Sequence, residues 1–359
     1  MEQCPNTKIY NLIRTTKVVK HKKRQEFLID LIKGVIKSRS VVFSEIADKI
    51  DKDIKATSIE RRIQDFFQKT TIDYQGLAIF LLSFVHHEKL DITIDRTEWD
   101  FGETQINILC LVASIGKMAI PLYFEMLDNN SGNSGWEDRI EIFKSLIGVI
   151  GKDRIRILLM DREFIGQKWL SWLKKEKICF CVRVPKHHTI LFSDGRRVTA
   201  EQILSKHGSF NCSNVVVDGV SVNLSISRGK DGELLYLIGT MPATELRGWY
   251  KKRWTIEVFF QALKSRGFNL EKSCLRNLEK YQKLFAVVSI AYTICWAVGI
   301  EAGRTNPVKV KKHGYPQYSV FRRGLNIIRN FYKKRIEPII NQAIEKSTQR
   351  LMLYLKTVG

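Results

Sequence analysis

Apolar positions recur at helical spacing through the first quarter of the chain. Phe27, Leu28, Leu31, Ile32, Val35 and Ile36 form one stripe, and Ile46, Ile50, Ile59, Ile63, Phe66 and Phe67 continue it. No strand-like alternation interrupts residues 1–88, which predicts an all-helical region. Thr57 followed three residues later by Glu60 predicts a capping box, opening a helix that carries Arg61 and Arg62 on its polar face. Such a helix is suited to a DNA groove. A charged face is more often merely solvated, and the link from Ile50 to Thr57 exceeds the turn of the usual helix-turn-helix, so the argument for DNA here rests mainly on overall charge.

From Leu90 the pattern changes. Leu90, Ile92 and Ile94 alternate with Asp91, Thr93 and Asp95, and 106–113 and 118–124 are β-rich runs. A helix over 137–150 follows, then a strand over 155–160, a helix over 167–175 and a strand over 178–184. The order β-β-β-α-β-α-β predicts an α/β fold: a mixed sheet with helices on its faces, as in ribonuclease H-like cores. Residues 185–240 are strand-like between the turn signals Asp194-Gly195, Asp218-Gly219 and Asp231-Gly232, and read as an inserted β subdomain. After Pro242 the pattern is helical to Arg266, and the remainder is helical with breaks at Asn306-Pro307 and Gly314-Tyr315-Pro316. The resulting division is a helical DNA-binding domain (1–88), a core in two parts (89–184 and 241–284) separated by the β insertion (185–240), and a basic helical C-terminal region (285–359).

Charge sharpens this picture. The chain is strongly basic, with a formal net charge of +22 over 359 residues, of which +16 falls in 251–359, whereas 91–170 carries −4. A polyanion-binding surface around an acidic island suits an enzyme that holds divalent cations against a phosphodiester. With 44% hydrophobic residues the chain is globular rather than disordered or collagen-like. Seven cysteines without a C-x-x-C pair read as reduced thiols, with neither disulfides nor zinc expected. The apolar run 284–300 contains Ser289, Tyr292 and Thr293 and reads as a buried core helix, so no membrane partner is expected.

Three carboxylates are the leading candidates for the chemistry, with the neighbouring acids Asp91, Glu98, Asp100 and Glu163 as alternatives. Asp95 closes the first strand, Asp161 closes the strand 155–160, and Glu257 lies on the helix after Pro242. Taken alone, an Asp at a strand end more often forms a turn or helix cap, and a helical Glu is usually a solvated residue. Tyr250, Arg253, Glu257 and Lys264 change that reading: at about 100° per residue they share one helix face within roughly 60° of arc. An acid striped with Tyr, Arg and Lys is no core seam, and suits a helix that ligates metal while gripping phosphates.

The string Y-x2-R-x3-E-x6-K formed by these residues resembles the signature of bacterial insertion-sequence transposases with a DDE triad. Asp95 followed by Thr97 and Trp99, and Asp161 followed by Arg162 and Phe164, are similar to that group's first and second catalytic motifs. The resemblance implies that Asp95, Asp161 and Glu257 bind two Mg2+ ions, with Mn2+ as an alternative. Tyr250, Arg253 and Lys264, with Trp254 beside them, then contact DNA, as do Arg61 and Arg62. It implies nicking of double-stranded DNA at terminal inverted repeats and transfer of the freed 3′ hydroxyl to target DNA, by a homodimer assembled on DNA in the bacterial cytoplasm. A silent end-binding repressor and a metal-dependent nuclease without strand transfer are the alternatives. Hairpin-forming relatives use an aromatic residue, often Trp, in the β insertion. Here no Trp lies between Trp172 and Trp249, which leaves Phe192, Phe210 or Tyr236. Arg96 stands where relatives often carry a small residue. The C-terminal region, with Phe331, Ile336, Ile339 and Ile340, is the expected pairing surface.

Overall fold

A computed structural model describes residues 5–127, 133–204, 209–228, 232, 234–312, 314–330 and 337–358. The chain divides into two compact units: a sheet unit, His87–Glu98 with Asn107–Val258, and a helical unit, Met1–His86 with Trp99–Ile106 and Phe259–Gly359.

The sheet has ten strands: β1 (Leu90–Phe101), β2 (Thr104–Ile115), β3 (Met118–Met126), β4 (Ile155–Met160), β5 (Phe180–Arg183), β6 (Thr189–Leu191), β7 (Arg197–Thr199), β8 (Phe210–Val217), β9 (Val220–Arg228) and β10 (Leu234–Gly239). Their spatial order is β3-β2-β1-β4-β5-β10-β9-β8-β6-β7. The mixed α/β fold expected from the pattern is present. β4 runs parallel to both β1 and β5, because helices Trp136–Ile150 and Gln167–Lys175 supply the crossovers that parallel strands need. The strands between 189 and 239 extend this same sheet, entering it where β10 pairs antiparallel with β5.

Buried β4 is continuously apolar from Ile157 to Met160, as a central parallel strand should be. Towards the sheet edge, Glu125 on β3 has its carboxyl raised to about 7, first by burial and then by the charges of Glu141 and Asp138. An acid raised in the folded state stabilises it most fully below the ordinary value of 4.5, and that contribution is lost as pH rises towards 7. Glu125→Gln should therefore gain stability over the wild type at pH 8, on the order of 1 kcal/mol after allowing for partial solvent screening, and gain none at pH 4.5. Thermal melts in the two buffers check this, and an equal change at both would remove the charge explanation.

The helical unit contains helices Pro5–Thr15, Lys22–Ser38, Phe43–Ala47, Ala56–Lys69 and Tyr74–Leu82 from the N-terminal part. The expected capping box does not form. Helix Ala56–Lys69 starts one residue before Thr57, with Lys55 at the N-cap and no side-chain cap. Helix Leu278–Thr305 is long and apolar enough to cross a membrane by length and composition, yet 94% of its most apolar window is buried within the protein. Helix Val320–Arg329 crosses it closely because two glycines face each other's helix. A Cβ on Gly324 would lie 1.7 Å from the Cys295 carbonyl oxygen, and one on Gly299 would lie 2.0 Å from that of Val320. Of the residues expected to pair protomers, Ile340 is buried inside the unit, and Phe331 and Ile336 lie outside the described residues.

Candidate active site

The site is built on the sheet unit, from β1 and β4. Their parallel register ends at Ile94 opposite Met160, so Asp95 and Asp161 are the next residues of neighbouring strands and leave the sheet side by side. β1 does not end at Asp95, as the alternation predicts, but runs on to Phe101. What ends there is the pairing with β4, and this leaves both carboxylates at one edge of the sheet.

Alternation puts Asp91, Thr93 and Asp95 on one face of β1, and each of the three receives the segment that carries Glu257. Lys252 donates to Asp91 Oδ2 at 2.8 Å. Thr93 Oγ1 lies 3.0 Å from Ser114 Oγ, which lies 2.8 Å from Thr255 Oγ1. Arg253 Nη1 donates to Asp95 Oδ2 at 2.8 Å. Buried Asp91 is also paired with Arg156 at 2.5 Å. Just before this polar ladder, Leu246 and Tyr250 pack on Ile157, Leu159, Cys181 and Leu237. Gly239 permits that approach, since a Cβ there would sit 2.4 Å from the Phe180 carbonyl oxygen and 2.7 Å from Leu246 Cδ2.

The segment after Pro242 is not one α-helix. It comprises helix Leu246–Tyr250, a 3-10 turn Lys251–Arg253, helix Trp254–Leu263 and a π-turn Lys264–Phe268. Tyr250, Arg253 and Glu257 nevertheless converge. Tyr250 Oη donates to Asp161 Oδ1 at 2.9 Å, and Arg253 Nη2 donates to Glu257 Oε1. The Arg96 main-chain N–H donates to Asp95 Oδ1 at 2.8 Å. One guanidinium thus spans Asp95 and Glu257, with Asp161 also acting on its charge.

Burial dominates the electrostatics. It raises the Asp95 carboxyl to about 7, against the lowering effects of Arg253 and the Arg96 N–H, while Asp161 and Glu163 add to the rise. Burial would lower Arg253, but Tyr250, Asp95, Asp161 and Glu257 around it reverse that and hold it firmly charged. Tyr250 is raised, by burial first and then by the Asp161 charge and hydrogen bond, so its hydroxyl stays protonated and donating. Among the described residues, no three Asp, Glu, His or Cys side chains group tightly enough to hold a metal ion directly. The donor chemistry nonetheless fits Mg2+: the three acids offer only carboxylate oxygens, and two of them, Asp95 and Glu257, already pair with one cation, the Arg253 guanidinium, whose charge Asp161 also influences.

Residues 109–294 match the transposase DDE domain family. The chain belongs to this family. It is a transposase, an enzyme that acts on DNA, as a family of this description implies. Asp161 and Glu257 lie inside the matched stretch, and Asp95 lies before it. A comparison with curated proteins returned no match.

Arg96, the odd neighbour of the first Asp, has a definite place in the transposase. Its side chain is 9% exposed and reaches Glu163 at 3.1 Å, Glu98 at 2.8 Å and Asn107 Oδ1 at 2.9 Å. Glu163 follows Asp161 by two residues, so this ion pair ties the strand end carrying Asp161 to β1 beside Asp95. Arg96→Gln leaves Glu163 without its buried partner and should cost about 2 to 4 kcal/mol in a chemical melt. Adding Glu163→Gln should recover part of the loss, with a coupling of about 1 to 3 kcal/mol. Strict additivity would show that the pair does not join the two strands.

The remaining sequence candidates are distributed differently. Trp254 follows Arg253 and is 56% exposed. Lys264 opens the π-turn and belongs to the helical unit, where it pairs with Glu271 at 3.0 Å and lies over the Trp99 ring. Arg61 and Arg62 are exposed on helix Ala56–Lys69, also in the helical unit. Of the aromatics in the 185–240 stretch, Tyr236 is buried, whereas Phe192 and Phe210 are partly exposed and in ring contact. Sequence reasoning missed Lys252, Ser114 and Thr255 as the residues that dock the Glu257 segment. The readable signal was the polar set Asp91, Thr93 and Asp95 on a strand whose other face is Leu90, Ile92 and Ile94.

Proposed function

We propose that this transposase binds the terminal inverted repeats of an insertion sequence, nicks the DNA there by Mg2+-dependent hydrolysis, and transfers the freed 3′ hydroxyl to target DNA. The pairing of Asp95 and Glu257 with one guanidinium, beside an Asp161 held by Tyr250 at the next strand end, supports this reading more than any other observation. The spacing of Tyr250, Arg253, Glu257 and Lys264 supports a place in the insertion-sequence group with the Y-x2-R-x3-E-x6-K signature.

In this mechanism Asp95, Asp161 and Glu257 would hold two divalent ions, Mg2+ or in its place Mn2+. When bound, such ions neutralise charge on the attacking and leaving oxygens of an in-line displacement. Water attacks a phosphodiester at the element end, the bond to the 3′ oxygen breaks, and that oxygen leaves as a hydroxyl. The same hydroxyl then attacks a target phosphodiester, forming one bond as it breaks another. Tyr250 fixes the Asp161 carboxylate through its hydroxyl, and the Arg96 N–H fixes that of Asp95. Arg253 neutralises the acids while DNA is absent and turns to a backbone phosphate when DNA arrives, since a phosphate offers the same bidentate partner as a carboxylate. Lys264, Trp254, Arg61 and Arg62 contact the DNA. Arg62 lines a surface depression with Lys23, Arg24, Lys52 and Lys69, among which Glu26 and Asp65 are interspersed, a net basic lining that supports a DNA-binding role for residues 1–88. The active form is a homodimer on two ends, working in the bacterial cytoplasm, with pairing in residues 285–359.

The test uses an oligonucleotide carrying the element's own terminal repeat, a second duplex as target, and the purified full chain. The expected result is Mg2+-dependent nicking at the repeat and a joined product. Binding without nicking would make the protein a silent end-binder, and nicking without joining would make it a nuclease.

A further inference from the structure

A second cationic site lies within the helical unit, on residues the proposed chemistry does not use. Arg322 and Arg329 are seven residues apart on helix Val320–Arg329. They therefore share a face within about 20° of arc over roughly 10 Å. Arg39, the C-cap of helix Lys22–Ser38, is close enough to both to feel their charge. Two of these side chains are held by main-chain carbonyls: Arg329 Nε donates to Lys37 O at 3.2 Å, and Arg322 Nη2 donates to Arg266 O. Each of those bonds uses one of the five donors a guanidinium carries. Arg39 Nε is buried and has no partner. Among the described residues no carboxylate pairs with Arg39, Arg322 or Arg329.

Arginines that merely cap carbonyls have no reason to gather. Each of these would be served as well alone, and three like charges brought together without an acid repel one another. The same gathering becomes favourable when a doubly charged or repeating oxyanion enters, because forked guanidinium donors match pairs of phosphate oxygens and the carbonyl bonds have already fixed two of the three side chains. We infer that Arg39, Arg322 and Arg329 form a phosphate-binding site that takes the backbone of double-stranded DNA. The site joins the end of an N-terminal helix to a C-terminal one, and Arg39 has no place in the basic run that the sequence displays. The choice of DNA as occupant rests on the function proposed above, whereas the phosphate chemistry does not.

The test compares the full chain with Arg39→Asn, since Asn tolerates the left-handed backbone at this position (φ 58°), and with Arg329→Gln at an exposed position. Binding to a duplex of arbitrary sequence is measured across a salt series, together with melting in the presence and absence of inorganic phosphate. Each variant should bind the duplex several-fold more weakly at low salt and reduce the salt slope by about 0.9. Without ligand, Arg39→Asn should melt no lower than the wild type, and it should lose most of the Tm gain that phosphate gives. Unchanged slopes with an unchanged phosphate gain, or a lower Tm without any change in slope, would overturn the site and leave the arginines as carbonyl caps. A wild type that binds no duplex, while its phosphate gain still depends on Arg39, would overturn DNA backbone as the occupant, whereas the proposed function stands or falls on the terminal-repeat assay.

Discussion

Glu257→Gln should reduce Mg2+-dependent nicking of an element end by roughly a thousandfold or more while leaving binding of that end within about twofold. The substitution keeps the size of the side chain and an oxygen that Arg253 can still donate to, so the docking of its helix through Thr255, Lys252 and Tyr250 persists. What is lost is one of the three negative ligands proposed for the ions, and hard divalent cations discriminate strongly between a carboxylate and an amide oxygen. Asp161→Asn should behave the same way for the same reason. Paired cleavage and mobility-shift assays on each variant separate the two readouts. Full nicking by purified Glu257→Gln would remove the residue from the chemistry.

Arg253→Gln should produce the second large effect, and in the absence of DNA. Removing the guanidinium leaves Asp95, Asp161 and Glu257 facing one another with their common counter-charge gone, which should destabilise the metal-free protein by about 3 to 5 kcal/mol. Mg2+ should then raise the melting temperature of the variant well above its effect on the wild type, because in the variant the cation no longer competes with a resident guanidinium. Calorimetry with and without Mg2+ reads this directly and needs no catalytic activity. A variant as stable as the wild type, or one indifferent to Mg2+, would show that the guanidinium and the cation do not share a place.

These effects depend on geometry that only part of the sequence announces. The strand order and the positions of Asp95 and Asp161 are legible because the buried run of β4 and the alternation of β1 have no competing reading. The length of β1 is not, since beyond Asp95 the sequence Arg96-Thr-Glu-Trp-Asp lacks apolar alternation and is kept extended by its neighbour β2. The face shared by Tyr250, Arg253 and Glu257 is legible from helical phase. The phase to Lys264 assumes an unbroken helix, and the 3-10 turn at 251–253 and the π-turn at 264–268 each change the angle per residue. The partner of Arg253 is not legible at all. A basic residue one turn before a glutamate reads as a solvated pair or a phosphate contact, and only the adjacency of β1 and β4 brings two more carboxylates to it. Thr57 shows the converse: its capping motif is present in sequence but overridden, because the helix begins two residues too early to use it.

The two units are interleaved along the chain, which leaves the sheet unit at residue 99, returns at 107 and departs again at 259. All three acids and Arg253 fall before that last departure. A gene copy that loses its 3′ end beyond that point would still encode every one of these groups, yet would lack most of the residues that complete the helical unit, including Arg322 and Arg329. Terminal deletion of the gene should therefore yield products in which the three acids and Arg253 are intact in sequence while the helical unit is not, so a census of surviving acids would overcount complete copies. The reverse also holds for fragment work: no single contiguous stretch of this chain contains one unit without a piece of the other.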